Sequence, residues 1–144
     1  MIANVYIETS IPWNKSEDGI VGIAVSIDEP EEARSYFGVV RGCSESAAVL
    51  FGFKNTLKYL DRFEVIQLNI SCASVAAAFD NGWIQKWQEQ DFCNSKGQPI
   101  KNREIWMEVV ESLRGRAVEV KLNEFNGFRR WLKAECMRRA KKYG

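Results

Sequence analysis

The order of strand-like and helix-like segments places the strongest constraint on the fold of this chain. Three segments rich in β-branched and aromatic residues come first, at residues 2–8, 19–27 and 34–40. Helical spacing of apolar residues then begins after Ser44, and the later segments are a helix to Leu60, a strand at 63–70, helices near 75–79, 83–87 and 103–113, a strand at 118–122 and a basic helix at 128–142. This order predicts an α/β (α+β mixed) fold with a five-stranded mixed sheet, strands 1–3 antiparallel, and helices on its faces.

Turn-rich breaks separate the first strands. Pro12, Asn14 and Asp18 interrupt the first pair, and a charged turn at residues 29–32 precedes the third strand. With 144 residues, 46% of them hydrophobic, the chain is long enough to bury a core without disulfides or a structural metal. We therefore expect a single domain over residues 1–144.

The absence of histidine from the sequence excludes several kinds of site. His-ligated metals, Ser-His-Asp triads and Cys-His catalysis all require this residue. The four cysteines are widely spaced, which indicates free thiols in a reducing compartment. No stretch has the length and apolar character of a signal peptide or membrane span, so we expect a cytoplasmic protein without membrane contact. The net charge of +1 does not by itself indicate nucleic-acid binding.

Three segments resemble motifs of the type 1 ribonuclease H family. Residues 83–87 (WIQKW) resemble the family's W-I-x-x-W helix, and residues 98–106 (QPIKNREIW) resemble its K-P-V-K-N-x-D-L-W segment. Residues 45–53 resemble its E-L-x-A-x-x-x-A-L helix, with Glu45 at the carboxylate. The resemblance implies a ribonuclease H-like fold with a protruding helical handle, here residues 83–102. It also implies cleavage of the RNA strand of RNA/DNA hybrids by two metal ions that four carboxylates hold.

The family's catalytic carboxylates are only partly present. The resemblance places Glu8 where the family has its first Asp, Glu45 at the second position and Glu135 in place of the fourth carboxylate, an Asp. Ser71 falls at the third, or Ile70 after a one-residue slip, and neither supplies a carboxylate. The family's N-N-R stretch becomes residues 41–43 (RGC), and its histidine loop becomes residues 123–127 (NEFNG), without histidine.

With one carboxylate missing, the site has less negative charge to bind the metal that the resemblance implies, Mg²⁺ or Mn²⁺. A single ion bound weakly by Glu8, Glu45 and Glu135 is one alternative. Without a metal, three clustered glutamates would repel one another, so the site either binds a cation or opens to solvent. Ser71 is interpreted as a helix-cap or loop residue that filled a vacated position.

Candidate nucleic-acid contacts lie in the first strand, the handle and the last helix. Ser10 and Asn14 match the family's first motif, and the handle carries three lysines among acidic neighbours: Lys86, Lys96 and Lys101. Trp83 and Trp87 share one helix face, either as core anchors, which we favour, or to present the handle to a nucleic-acid backbone. The basic face of the last helix is either solvated or binds phosphate. Its members are Arg129, Arg130, Lys133, Arg138, Arg139, Lys141 and Lys142.

Three functions fit these observations. The favoured one is a catalytically impaired ribonuclease H-like protein that binds an RNA/DNA hybrid, double-stranded RNA or a nucleic-acid-processing partner. The second is an active metal-dependent ribonuclease H with a glutamate-rich site. The third is a protein-interaction module without nucleic-acid binding. We expect a monomer in each case.

Overall fold

A computed structural model describes residues 2–27, 33–123 and 127–143 of the chain. Its elements, in chain order, are β1 (Ile2–Thr9), β2 (Ser16–Ser26), β3 (Arg34–Ser44), α1 (Glu45–Leu57), β4 (Val65–Ile70), α2 (Ala73–Asp80), α3 (Trp83–Glu89), α4 (Arg103–Ser112), β5 (Ala117–Leu122) and α5 (Gly127–Tyr143). The predicted order of strands and helices is confirmed. The predicted charged turn at residues 29–32 lies outside the described residues.

The five strands form one mixed sheet in the order β3-β2-β1-β4-β5. The pairs β1/β2 and β2/β3 are antiparallel, whereas β1/β4 and β4/β5 are parallel. The predicted mixed sheet with three antiparallel strands is therefore confirmed. In the β1/β4 pair Ile7 lies opposite Ile70, so the next residues along each strand, Glu8 and Ser71, emerge at the same edge of the sheet.

Both faces of the sheet are covered, because residues of β1 alternate between two apolar clusters. Ala3, Val5 and Ile7 are fully buried in the larger cluster, which includes residues of α1, α2 and α4. Tyr6 points to the other side and packs with Leu132 of α5 in a smaller cluster. Each large apolar side chain buried in this way contributes about 1.5–3 kcal/mol to folding. Helix α5 is thus held against the face that α1 does not cover.

Two local features place the helices that flank the site. The Oγ of Ser44 accepts a hydrogen bond of 3.2 Å from the N–H of Ala47, so Ser44 is the N-cap of α1 and confirms the predicted helix start. Helix α5 approaches β2 closely at Gly22, where a Cβ atom would lie 2.6 Å from Sγ of Cys136. The absence of a side chain at Gly22 therefore sets the distance between α5 and the sheet.

The handle is connected to the core by tryptophans. Helix α3 contains no buried residue, but the ring centroid of Trp87 lies 5.2 Å from that of buried Trp106 in α4. Trp83 stacks on Trp87 at 6.3 Å and stays 39% exposed. None of the helices in the described ranges combines the length and apolar character needed to traverse a lipid bilayer.

Candidate functional site

Glu8 and Ser71 form the centre of the site, at the edge where β1 and β4 end. The Glu8 side chain is only 3% exposed. Ser71 Oγ donates a hydrogen bond of 2.5 Å to Glu8 Oε1 and lies 3.0 Å from Oε2. The parallel register of β1 and β4 brings these two residues together, as the resemblance implied for its first and third carboxylate positions. Ser71 therefore supplies a hydroxyl to Glu8 where the family supplies a second negative charge.

Arg129 provides the positive charge that faces Glu8. Its Nε donates a hydrogen bond of 3.0 Å to Glu8 Oε1, and its Nη2 contacts Ser71 Oγ. Nη2 also lies 3.1 Å from Oδ1 of Asn123, which directly follows β5. The Arg129 side chain is 17% exposed. The N-terminus of a helix carries a partial positive charge, which disfavours a cation in the first turn. The Glu8 carboxylate offsets both this partial charge and the charge of Arg129.

Further along α5, two more residues attach the helix to the end of β1. Lys133 Nζ donates to the carbonyl oxygen of Thr9, at 2.5 Å. The thiol of Cys136 donates to the carbonyl oxygen of Glu8, at 3.5 Å. Burial raises the pKa of Cys136 to about 12, and the Glu8 charge adds to the rise. The residues at 129, 133 and 136 share one helix face, which explains why all three meet β1.

Glu135 is engaged by other residues of its own helix. Arg138 Nε and Arg139 Nε each lie 3.1 Å from one of its carboxylate oxygens. These hydrogen bonds, first that of Arg138 and then that of Arg139, lower the pKa of Glu135 to about 2. Arg139 also covers the ring of Phe37 on β3, 3.8 Å from its centroid. Glu135 thus belongs to a cluster of α5 and β3 residues.

Glu45 begins α1 and is half-buried. Its charge adds to the effect of burial in raising the pKa of Cys72, which directly follows Ser71 and caps α2. Glu45 thus interacts with Cys72, the residue next to Ser71.

The predicted cluster of Glu8, Glu45 and Glu135 is not formed. Within residues 2–27, 33–123 and 127–143, no three His, Cys, Asp or Glu side chains are grouped so that they could hold a metal ion. Glu8 is bound by a guanidinium and a hydroxyl, and Glu135 by two guanidinium groups. This donor set does not fit Mg²⁺ or Mn²⁺, which need several free oxygen ligands. The cation that lies beside Glu8 is the guanidinium of Arg129.

The predicted nucleic-acid contacts occupy different environments. Ser10 is buried, and its Oγ accepts a hydrogen bond of 3.0 Å from the N–H of Ile20, which gives it a structural role in the β1/β2 hairpin. Asn14 and the handle lysines are exposed: Lys86, Lys96 and Lys101. Trp87 packs against the core cluster, in agreement with the favoured interpretation, and Trp83 is its exposed neighbour. The nucleic-acid roles stay predictions.

The two loops that depart from the family pattern are partly described. Arg41 forms an ion pair with Asp18 at 3.7 Å, and the N–H of Gly42 donates to the same aspartate at 2.7 Å. Residues 124–126 of the loop that lacks histidine lie outside the described residues. Sequence reasoning missed Arg129 as a partner of Glu8 and counted it only as part of a basic face. Helical spacing puts Arg129, Lys133 and Cys136 on one face, but it does not indicate which strand that face contacts.

Comparison with known sequences finds a limited match to ribonucleases H. The family models searched give no match. The "Ribonuclease H" of Symbiobacterium thermophilum is 33% identical over 54 residues, which is 38% of this chain and 37% of that protein. The match thus spans little more than a third of the relative's length.

Solved structures resemble the chain over nearly its whole length. The type 1 RNase H described as LC9-RNase H1, "with the type 2 active-site motif", has a TM-score of 0.76 at 15% identity and covers 99% of this chain and 74% of its own. The foamy viral protease-reverse transcriptase in complex with an RNA/DNA hybrid has a TM-score of 0.68 at 15% identity, over 98% of this chain and 19% of its own. These likenesses show that the chain has the fold of ribonuclease H domains, and a segment of 54 residues is similar in sequence to a ribonuclease H.

Proposed function

We propose that the protein is a catalytically impaired ribonuclease H-like module that binds nucleic acid. The observation that carries this proposal is the arrangement at the end of β1, where a serine, Ser71, and an arginine, Arg129, bind Glu8. Two-metal hydrolysis needs carboxylates that hold two ions about 4 Å apart. A serine hydroxyl adds no charge, and the guanidinium already uses one oxygen of Glu8. Among the described residues, the site therefore lacks the ligands for this chemistry.

The proposed ligand is an RNA/DNA hybrid. One structural neighbour is described in complex with such a hybrid. The handle of this chain presents three exposed lysines, Lys86, Lys96 and Lys101, and α5 presents exposed Arg130, Arg138 and Lys141. Basic side chains on an exposed surface bind phosphates without reading sequence, and such binding weakens as salt rises. Double-stranded RNA and a protein partner are the alternatives that the experiment below separates.

The test combines a binding assay with a cleavage assay. A fluorescent RNA/DNA hybrid is titrated with protein over a range of salt concentrations, and its cleavage with Mg²⁺ or Mn²⁺ is followed on a gel. We expect salt-dependent binding without cleavage. Metal-dependent cleavage by the unmodified protein that Glu8→Gln abolishes would instead show an active ribonuclease H with a glutamate site. Failure to bind either the hybrid or double-stranded RNA at any salt concentration would favour the protein-interaction module.

The contribution of the handle is measured with matched lysine variants. Lys86→Gln and Lys101→Gln together should weaken binding and reduce the slope of log affinity against log salt by about 1 for each lost phosphate contact. Lys58→Gln, at an exposed lysine that follows α1, is the control and should leave the slope unchanged. Equal slopes for all these proteins would exclude the handle lysines from binding.

Three further expectations belong to this proposal: a monomer, a single domain over residues 1–144 and a cytoplasmic location. Sedimentation equilibrium tests the first, limited proteolysis the second and microscopy of a tagged chain the third. If the protein is a monomer that resists protease, one protein should bind at each site on the hybrid. A stable dimer would contradict the expected monomer.

A further inference from the structure

We infer that Arg129 is the resident cation of this site and that it excludes divalent metal from the end of β1. A resident cation accounts for the burial of the Glu8 carboxylate beside Ser71, a residue that has no carboxylate. Its extension to ligand binding rests on the proposed function: the protein binds the hybrid without a divalent metal.

The hydrogen bonds of Glu8 leave little room for a metal ligand. Oε1 accepts from Arg129 Nε at 3.0 Å and from Ser71 Oγ at 2.5 Å, and the same hydroxyl lies 3.0 Å from Oε2. The guanidinium forms a planar fork, which allows Arg129 to contact Glu8, Ser71 and Asn123 at once. A divalent ion bound to Glu8 would have to displace at least one of these donors.

The local charge also disfavours a divalent ion. Arg129 and Lys133 bring two positive charges to the end of β1, where Glu8 supplies one negative charge. Hard divalent cations are bound by sites with excess negative charge from carboxylates. Among the described residues, this group of two bases and one acid does not meet the requirement.

The attachment of α5 keeps the guanidinium in place. Lys133 binds the carbonyl oxygen of Thr9, and Cys136 contacts the carbonyl oxygen of Glu8. The helix also packs on β2 at Gly22, where no side chain separates them. Because Arg129 lies on the same face of α5, its backbone cannot move away from Glu8 without breaking these contacts. An arriving metal would therefore meet the cation rather than an open carboxylate.

The experiment titrates Mn²⁺ and measures the free ion by electron paramagnetic resonance, so that nuclease activity is not the readout. The proteins are the unmodified chain, Ser71→Asp, Arg129→Gln and the double variant. We expect Mn²⁺ binding in the double variant, which gains a carboxylate and loses the guanidinium, to be about tenfold or more tighter than in either single variant. Arg114→Gln combined with Ser71→Asp, at an exposed arginine, is the control and should behave like Ser71→Asp alone.

Two results would overturn the inference. One is Mn²⁺ binding by Ser71→Asp alone that equals binding by the double variant. The other is Mn²⁺ binding by the unmodified chain that Glu8→Gln removes, a measurement that needs no Arg129 variant to fold. Hybrid affinity is then compared in Mg²⁺ and in chelator, and we expect equal values. A requirement for Mg²⁺ would contradict metal-free binding, whereas no binding in either condition would contradict the proposed function and leave the Mn²⁺ result to decide the inference.

Discussion

Arg129 and Glu8 form an ion pair of 3.0 Å across 121 positions of the chain. The pair joins the first turn of the last helix to the end of the first strand, and both side chains are largely buried, at 17% and 3% exposure. Taking two charges out of water is costly, and their attraction offsets that cost only while both partners are present. The pair thus makes the folded state sensitive to the loss of either charge.

Neutralising Glu8 tests this dependence on charge. Glu8→Gln removes the carboxylate charge 3.0 Å from the largely buried Arg129 guanidinium, so we expect the free energy of unfolding to fall by about 2–3 kcal/mol. The control is Glu111→Gln, which breaks an exposed pair with Arg114 and should cost less than about 1 kcal/mol. Urea denaturation measures both. Equal losses in the two variants would mean that the Glu8 pair adds nothing beyond a surface contact.

The fold was predictable from sequence because the spacing of apolar residues records which side of each element is buried. The residue types at 2–8 and 63–70 predicted two strands, and both β1 and β4 lie inside the sheet, each between two neighbours. The partner of Glu8 was not predictable in this way, since no local pattern reports a contact between residues so far apart. The engagement of Glu135 had a local signal, because Arg138 and Arg139 lie at the i+3 and i+4 positions.

The close approach of α5 to β2 predicts an effect of adding one methyl group. Gly22→Ala would place a Cβ 2.6 Å from Cys136 Sγ and 3.0 Å from the ring of Phe37, so we expect a loss of about 1–3 kcal/mol in the free energy of unfolding. Gly38→Ala on the neighbouring strand is the matched control, because its Cβ would meet only Val21, at 3.9 Å. Both are measured by thermal and urea unfolding.

Rescue distinguishes the steric explanation from a general effect on the strand. Adding Cys136→Ala to Gly22→Ala removes the sulfur atom that the new methyl group would contact. The double variant should therefore be more stable than the sum of the two single changes predicts. Strict additivity would show that contact with Cys136 is not the cause.

The tryptophans of the handle predict unequal costs of truncation. Trp106→Ala removes a side chain that is 4% exposed and contacts both Trp87 and Phe79, so we expect a loss of about 3–5 kcal/mol. Trp83→Ala, at 39% exposure and with Trp87 as its ring partner, should cost about 1 kcal/mol. Urea unfolding followed by far-ultraviolet circular dichroism measures both losses. A larger loss for Trp83→Ala than for Trp106→Ala would mean that Trp83 in α3 contributes more to the stability of the fold than Trp106 in α4.

The cysteines predict a difference in reactivity and a dependence of stability on pH. Cys72 and Cys136 are buried, and burial raises the pKa of both thiols, that of Cys136 to about 12. The thiolate is the reactive form, so iodoacetamide at pH 8 should modify Cys43 and Cys93 first, and all four only in urea. Mass spectrometry of the labelled peptides gives the order. Modification of Cys136 as fast as that of Cys43 would contradict its burial.

The same thiol gives the sign of the pH effect. The pKa of Cys136 is about 12 in the folded chain against 9.0 for a free thiol, so the folded state holds its proton more tightly than the unfolded state does. Its contribution to stability is fully present below pH 9 and is lost as the pH rises towards about 12. Urea unfolding over this range should therefore show a steeper decline for the unmodified chain than for Cys136→Ala, in which other alkaline titrations are unchanged. Parallel declines would mean that the thiol ionises equally in both states.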